Sequence, residues 1–198
     1  YWKFDETSGT TAGDSSGNGY SGTLTSGPVW AIGKYNNGLQ LDGVDDYIPI
    51  TINVPETNYT YSTWFKTTDT GGAILAVVNP VATNAGAHDR QFGIYNNGVL
   101  CHRVWADETY CSTNAVNDNR WHYAAVTVGS GGGKIYLDGV QVATGAKVTS
   151  DFSSELGIVV GNHYWTGWGP YAGMIDDLKI YNYVRTPAQI LWEYNQGM

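Results

Sequence analysis

The chain has 198 residues, enough to bury a substantial core and few enough to favour one compact domain. With 10 Lys and Arg against 18 Asp and Glu its formal charge is −8, which excludes a surface built to neutralise nucleic acid. Apolar runs stay short of the roughly 18 residues a membrane span needs, so no membrane insertion is expected, and 26 Gly with 15 Tyr and 8 Trp point to short strands joined by tight turns.

In chain order, Trp2–Phe4 reads as a short strand and residues 5–19 as a long polar loop, a length that in a compact domain usually has a task. Strands are expected at Ser21–Leu24, Gly38–Leu41, Tyr47–Ile50, Tyr59–Thr67, Ile74–Val78, Gln91–Tyr95, Val99–Trp105 and Glu108–Ser112. The clearest signal follows: Arg120–Val128, a turn at Gly129–Gly133, Lys134–Leu137, then Asp138-Gly139 and Val140–Ala143. Asp-Gly supplies the positive φ angles of a tight hairpin. Leu156–Val160 and Ala172–Tyr181 complete the strands. One helix is expected, with Thr186 as N-cap, Pro187 first, and Ile190, Leu191 and Tyr194 as its apolar stripe. The sum is an all-β protein of two antiparallel sheets packed face to face, with no blade repeat for a propeller and no helical periods for a βαβ fold.

Cys101 and Cys111 flank a hairpin whose turn centres on Ala106, so they lie opposite each other and a disulfide is expected; the other reading is two buried thiols. A bridge suits export. An enzyme is not expected. No alternating pair of carboxylates marks one strand face, Glu6, Glu56, Glu108 and Glu155 read as loop or strand-end positions, and Glu193 lies on the helix. His88-Asp89-Arg90 invites a catalytic reading, but neighbours on a strand face opposite sides and form no dyad by adjacency. His88, His102, His122 and His163 show no zinc spacing, and His122 beside Trp121 reads as core. A hairpin around Asn96-Asn97-Gly98 would bring His88 and His102 near one another.

Residues 161–173 carry His163, Tyr164, Trp165, Trp168 and Tyr171 on a segment whose Gly and Pro exclude a regular helix or buried strand. Exposed rings of this size are expected to meet a partner. They suit the apolar faces of sugars, with His88, Asp89, Arg90, His102, Arg103 and Trp105 supplying hydroxyl-bonding groups and a further ring. Arg also forks onto a carboxylate, so an acidic sugar fits. The competing reading has Trp165 and Trp168 plug one end of the sandwich. Trp2, Trp64 and Trp121 are expected in the core.

Six stretches in order, Tyr1–Gly9 with Asp14–Gly19, Leu39–Ile48, Tyr61–Thr67, Trp121–Tyr123, Tyr136–Gly139 and Gly173–Asn182, resemble the laminin-G-like, concanavalin A-like jelly-roll domains of bacterial secreted proteins. The resemblance spans nearly the whole chain. It implies a curved two-sheet sandwich with first and last strands as neighbours, and often a bound calcium ion. Calcium takes six to eight oxygens, which Asp14, Asn18, the carbonyls of residues 15–19, one of Asp176 or Asp177 (here Asp177), and Asp42 could offer. The plainer reading of Asp14 is an Asx-turn. Fold alone does not fix function. The expectation is a non-catalytic, calcium-stabilised carbohydrate-binding module of a secreted or cell-surface protein, cut from a longer chain, with a glycan or polysaccharide as partner. The alternative is an adhesion or spacer module whose partner is a protein or a neighbouring domain.

Overall fold

The computed structural model describes residues 1–83, 87–105, 108–149, 156–163 and 168–196. In order the elements are β1 (Thr11–Ala12), β2 (Gly22–Thr23), β3 (Val29–Ile32), β4 (Asn37–Asp42), β5 (Ile48–Thr51), β6 (Tyr59–Thr67), β7 (Gly72–Asn79) and β8 (Ala87–Tyr95). They continue with β9 (Val99–Val104), β10 (Glu108–Ala115), β11 (His122–Gly129), β12 (Gly132–Leu137), β13 (Val140–Gly145), β14 (Gly157–Val160), β15 (Ala172–Tyr181) and α1 (Pro187–Gln196). Two antiparallel sheets form a jelly-roll sandwich: six strands in the order β10-β9-β8-β7-β14-β5, and seven in the order β13-β12-β11-β6-β15-β4-β3.

The core lies between the sheets, where Tyr59, Tyr61 and Phe65 of β6 and Val126 of β11 meet Leu75, Val77, Phe92, Leu100 and Ile158. Alternation gives β6 a second buried face. Its Trp64 packs with Tyr123, Ala125 and Tyr136 beneath Ile190 and Tyr194 of α1, so both faces of this strand are covered and its run is apolar or hydroxyl-bearing apart from Lys66. The helix begins with a capping box in which Gln189 N donates to Thr186 Oγ1 at 3.3 Å and Thr186 N to Gln189 Oε1 at 2.9 Å. Its inward residues are Ile190, Glu193 and Tyr194; Leu191, expected in the stripe, is 44% exposed. Glu193 accepts from Tyr123 OH at 2.8 Å, Tyr181 OH at 2.8 Å and Lys179 Nζ at 2.7 Å, which docks the helix on the sheet through a buried carboxylate.

The hairpins follow their turn chemistry. Asp138 and Gly139 take φ of 50° and 79° between β12 and β13, and Asn97 and Gly98 take 70° and 79° between β8 and β9. Cys111 pairs with Cys101 across β10 and β9, and the disulfide closes at a Cα–Cα distance of 4.1 Å. Two expectations are corrected. Trp2–Phe4 is not a strand, because Trp2 alone bridges Leu178 and Asp14 and Phe4 turns to a φ of 61°. That bridge does make the first segment a neighbour of the last strand. Strand β3 went unread because it is an edge: Val29 and Ile32 are 55% and 85% exposed and show no buried face.

Candidate functional site

The outer face of the six-stranded sheet, turned away from the core, gathers the polar residues singled out in the sequence. Pairing of Gln91 with Arg103 and of Phe92 with His102 across β8 and β9 sends Gln91 and Arg103 outward while Phe92 and His102 enter the sandwich. Arg103 donates from a terminal guanidinium nitrogen to Gln91 Oε1 at 3.2 Å, and Gln91 Nε2 lies 3.1 Å from His163 Nδ1. The His163 ring is 5.2 Å from that of His88, which meets Trp105 edge-on at 6.0 Å. Arg103, Gln91, His163 and His88 are buried, whereas Trp105 is 38% exposed.

This relay sets a tautomer. With its oxygen taken by Arg103, Gln91 presents its amide N–H to His163 Nδ1, so the neutral ring carries its proton on Nε2. Guanidinium and imidazole N–H groups are of the kind that match the oxygen acceptors of a hydroxyl-rich or carboxylate-bearing ligand. Gln91 was passed over in the sequence. Its signal is an amide at the centre of a fully buried strand, flanked by Arg90 and Phe92.

Several expected members stand elsewhere. A register shift between Val77 and Val78 makes Asp89 the extra residue of a bulge, which brings Arg90 Nε to 2.5 Å from Asp89 Oδ2 although the two are adjacent. Arg90 then turns inward, its guanidinium 4.5 Å above the Tyr59 ring and donating to Pro55 O at 2.5 Å. Asp89 is fully buried against it, so this pair is internal rather than ligand-facing. His88 and His102 do not come together, because they occupy opposite faces. His102 lies between Tyr59 and Tyr61 with Nδ1 2.9 Å from Tyr110 OH, and burial, then the Arg90 charge, push its pKa down to about 3.

Tyr171 is fully buried with its hydroxyl 3.2 Å from the carbonyls of Lys66 and Met174, so it is a core residue. Trp168, 5% exposed, packs on Ala73 and Cys101 with its ring 5.4 Å from Tyr95, so it is a packed side chain and not an open platform. Tyr164 and Trp165 fall outside the described residues. Next to His163, the buried Asn162 leaves Oδ1 without a donor among the described residues.

The calcium set expected from Asp14, Asn18, Asp42 and Asp177 does not converge. Asp14 accepts from Ser16 N and Oγ at 2.8 Å and Tyr20 N at 3.0 Å, an Asx-turn, and Asn18 Nδ2 donates to Ser16 Oγ at 2.9 Å. Asp177 accepts from Tyr1 OH at 2.5 Å and faces Lys179 Nζ at 3.4 Å. Asp42 instead groups with Asp45 and Asp46, their carboxylate oxygens within 4.8 Å of one another. The spare buried oxygens are elsewhere. Asp176 Oδ2 accepts from Lys34 N and Tyr35 N, but Asp176 Oδ1, Asp5 Oδ1 and Glu6 Oε2 meet no donor among the described residues. Burial, with the Asp177 charge, pushes the Asp176 carboxyl up to about 7. These oxygens do not gather into a group of three close enough to share an ion; among the described residues only Asp42, Asp45 and Asp46 do so.

No helix among the described residues is long and apolar enough to cross a membrane. Among curated proteins the chain is similar to the rat (Rattus norvegicus) sushi, von Willebrand factor type A, EGF and pentraxin domain-containing protein 1, 26% identical over 79% of this chain. The chain spans 5% of that relative's length. Among solved structures it resembles domain 4 of AbnA, a GH43 extracellular arabinanase from Geobacillus stearothermophilus, in complex with arabinotriose (22% identity, TM-score 0.73, 96% of this chain and 94% of that one). It also resembles the binding domain of botulinum neurotoxin DC in complex with SialylT (12% identity, TM-score 0.69, 98% and 52%). A Trypanosoma rangeli sialidase shares the fold as well (14% identity, TM-score 0.73, 98% and 32%). The fold therefore serves in both binding domains and enzymes. Residues 41–191 match the laminin G family described as the concanavalin A-like lectin/glucanases superfamily, and the chain belongs to that family.

Proposed function

We propose that this protein is a non-catalytic carbohydrate-binding module and that the sugar engages the outer face of the six-stranded sheet at Arg103, which the buried Gln91 and His163 orient from behind, with Trp105 as the stacking ring. The observation that carries this reading is the Arg103–Gln91–His163 relay. Burying such groups where Val or Ile would pack costs about 1–3 kcal/mol each when a bond is left unmade, an expense typical of functional sites. Solved relatives of this fold in complex with arabinotriose and SialylT support the ligand class.

Among the described residues the cluster shows no pair of carboxylates to act as acid and base or nucleophile, and Asp89 is spent on Arg90. Calcium would be held by Asp42, Asp45 and Asp46, whose carboxylate oxygens lie within 4.8 Å of one another. A disulfide suits a secreted or cell-surface setting. The second reading, an adhesion or spacer module, has its own observation: Val140, Leu191 and Trp192 are 64%, 44% and 62% exposed on the helix side. A glycan array probed with the purified protein and an Arg103→Ala variant separates the two. Sugars retained by the protein and lost by the variant support binding at the relay, and a silent array favours protein contact.

A further inference from the structure

We propose a second carbohydrate site, distinct from the outer sheet face: the cleft of about 680 Å³ between the 16–20 loop, the 52–55 segment and the end of β15. Its walls are held by hydrogen bonds formed before any ligand enters. Asp14 ties down Ser16 and Tyr20 through their backbone N–H groups, and Trp2 Nε1 donates to Tyr20 O at 2.7 Å. Opposite, the buried Arg90 holds Pro55 O. A site whose walls are fixed before binding loses little to ordering when a ligand enters.

The lining suits an uncharged, hydroxyl-rich ligand. Tyr20, 39% exposed, offers a ring, and the carboxamides of Asn53 and Asn182 each offer a donor and an acceptor. None of these three side chains is committed to a hydrogen bond with the described residues. The chain carries −8, yet no carboxylate lines the cleft among the described residues. Of its cations, Lys179 is neutralised by Glu193 at 2.7 Å and Asp177 at 3.4 Å, and the Tyr1 ammonium by Asp14 at 3.3 Å. Paired aromatic and amide groups without net charge select a neutral glycan over an acidic one, and the volume falls in the range of about 300–1,000 Å³ that ligand sites occupy. The outer-face relay, with Arg103, has the opposite preference.

Side-chain amide resonances test this directly. The ¹⁵N-labelled protein is titrated with arabinotriose, maltotriose and N,N′-diacetylchitobiose to tens of millimolar, a range that detects about millimolar affinity. The Asn53 and Asn182 amide signals should shift saturably with at least one probe, with a midpoint independent of any shift at Gln91. Tyr20→Ala, which keeps the backbone bonds of Tyr20, should weaken that binding about tenfold or more while leaving the rest of the spectrum in place. Asn53→Asp should do the same by introducing charge. Absence of a saturable shift at Asn53 and Asn182 with all three probes overturns the second site. Shifts at Gln91 alone overturn it too and leave the outer-face reading standing, whereas shifts confined to the cleft uphold it and count against the relay.

Discussion

Gln91 and His163, one on β8 and the other just beyond β14, meet side chain to side chain at 3.1 Å on the outer face of the six-stranded sheet. Gln91 is fully buried and its oxygen is held by Arg103, so its orientation is set from one side and it sets that of His163 on the other. Gln91→Leu keeps the volume but removes both bonds. Glycan affinity should fall tenfold or more, about 1.4 kcal/mol, while the melting temperature changes little or rises. A large fall in melting temperature would assign Gln91 to stability instead.

The two tryptophans near this face should respond differently. Trp168 is 5% exposed above the disulfide, so Trp168→Ala should cost about 3–5 kcal/mol and report on packing. Trp105, 38% exposed, should lose sugar affinity on replacement by Ala with a stability change below about 1 kcal/mol. Thermal melts alongside isothermal titration distinguish them, and equal stability losses would remove Trp105 from the site.

Helix α1 hangs on Glu193. Its carboxylate takes two tyrosine hydroxyls and Lys179, with Arg185 Nε at 3.5 Å. Glu193→Ala strands those partners, and denaturant unfolding should show a loss of about 3–5 kcal/mol. Glu193→Gln keeps part of the hydrogen bonding and should fall between. A loss below about 1 kcal/mol would show that the helix is docked by Ile190 and Tyr194 alone.

The histidines should titrate in opposite directions. His122 bonds Asp138 at 2.8 Å and Asp118 at 3.1 Å, and the Asp138 bond raises its pKa above the ordinary 6.5. Its contribution to stability is therefore complete below that value and is lost as pH rises through the folded pKa. His102, held neutral by burial down to about 3, works the other way: its contribution is present above 6.5 and lost as pH falls toward 3. Imidazole carbon shifts followed by NMR check both. A His102 ring that titrates near 6.5 would contradict its placement between the tyrosines.

Removal of calcium should lower the melting temperature. At a hundredfold excess over the dissociation constant a ligand adds about 2.7 kcal/mol, which EDTA would withdraw. Asp42→Asn should abolish the EDTA effect, and Asp176→Asn should preserve it. An identical melt with and without EDTA counts against the ion.

How far the fold was legible depends on local chemistry. Tyr59–Thr67 and Ala172–Tyr181 are read to the residue because central strands run without interruption between turn residues. The Cys101–Cys111 pair follows from register counted outward from Ala106. The site was harder because the face a side chain takes depends on bulges. Asp89 adds one residue to β8, which lets Arg90 pair with its own neighbour and sets His88 opposite Val78 on the outer face, where strict alternation from Phe92 would have put it inside. Trp168 and Tyr171, on a Gly- and Pro-rich segment, read as exposed because loops usually are; packing against Tyr95 and the Lys66 carbonyl made them interior. The calcium ligands failed for a similar reason, since Asp14 satisfies its own loop before it can serve an ion.

The most direct test is a glycan array run side by side on the protein and its Gln91→Leu variant, with matched circular dichroism. A defined group of sugars bound by the first and lost by the second is the predicted result. A protein that binds no glycan, or a variant that binds them equally well, would contradict the assignment of the Arg103–Gln91–His163 face as the carbohydrate site.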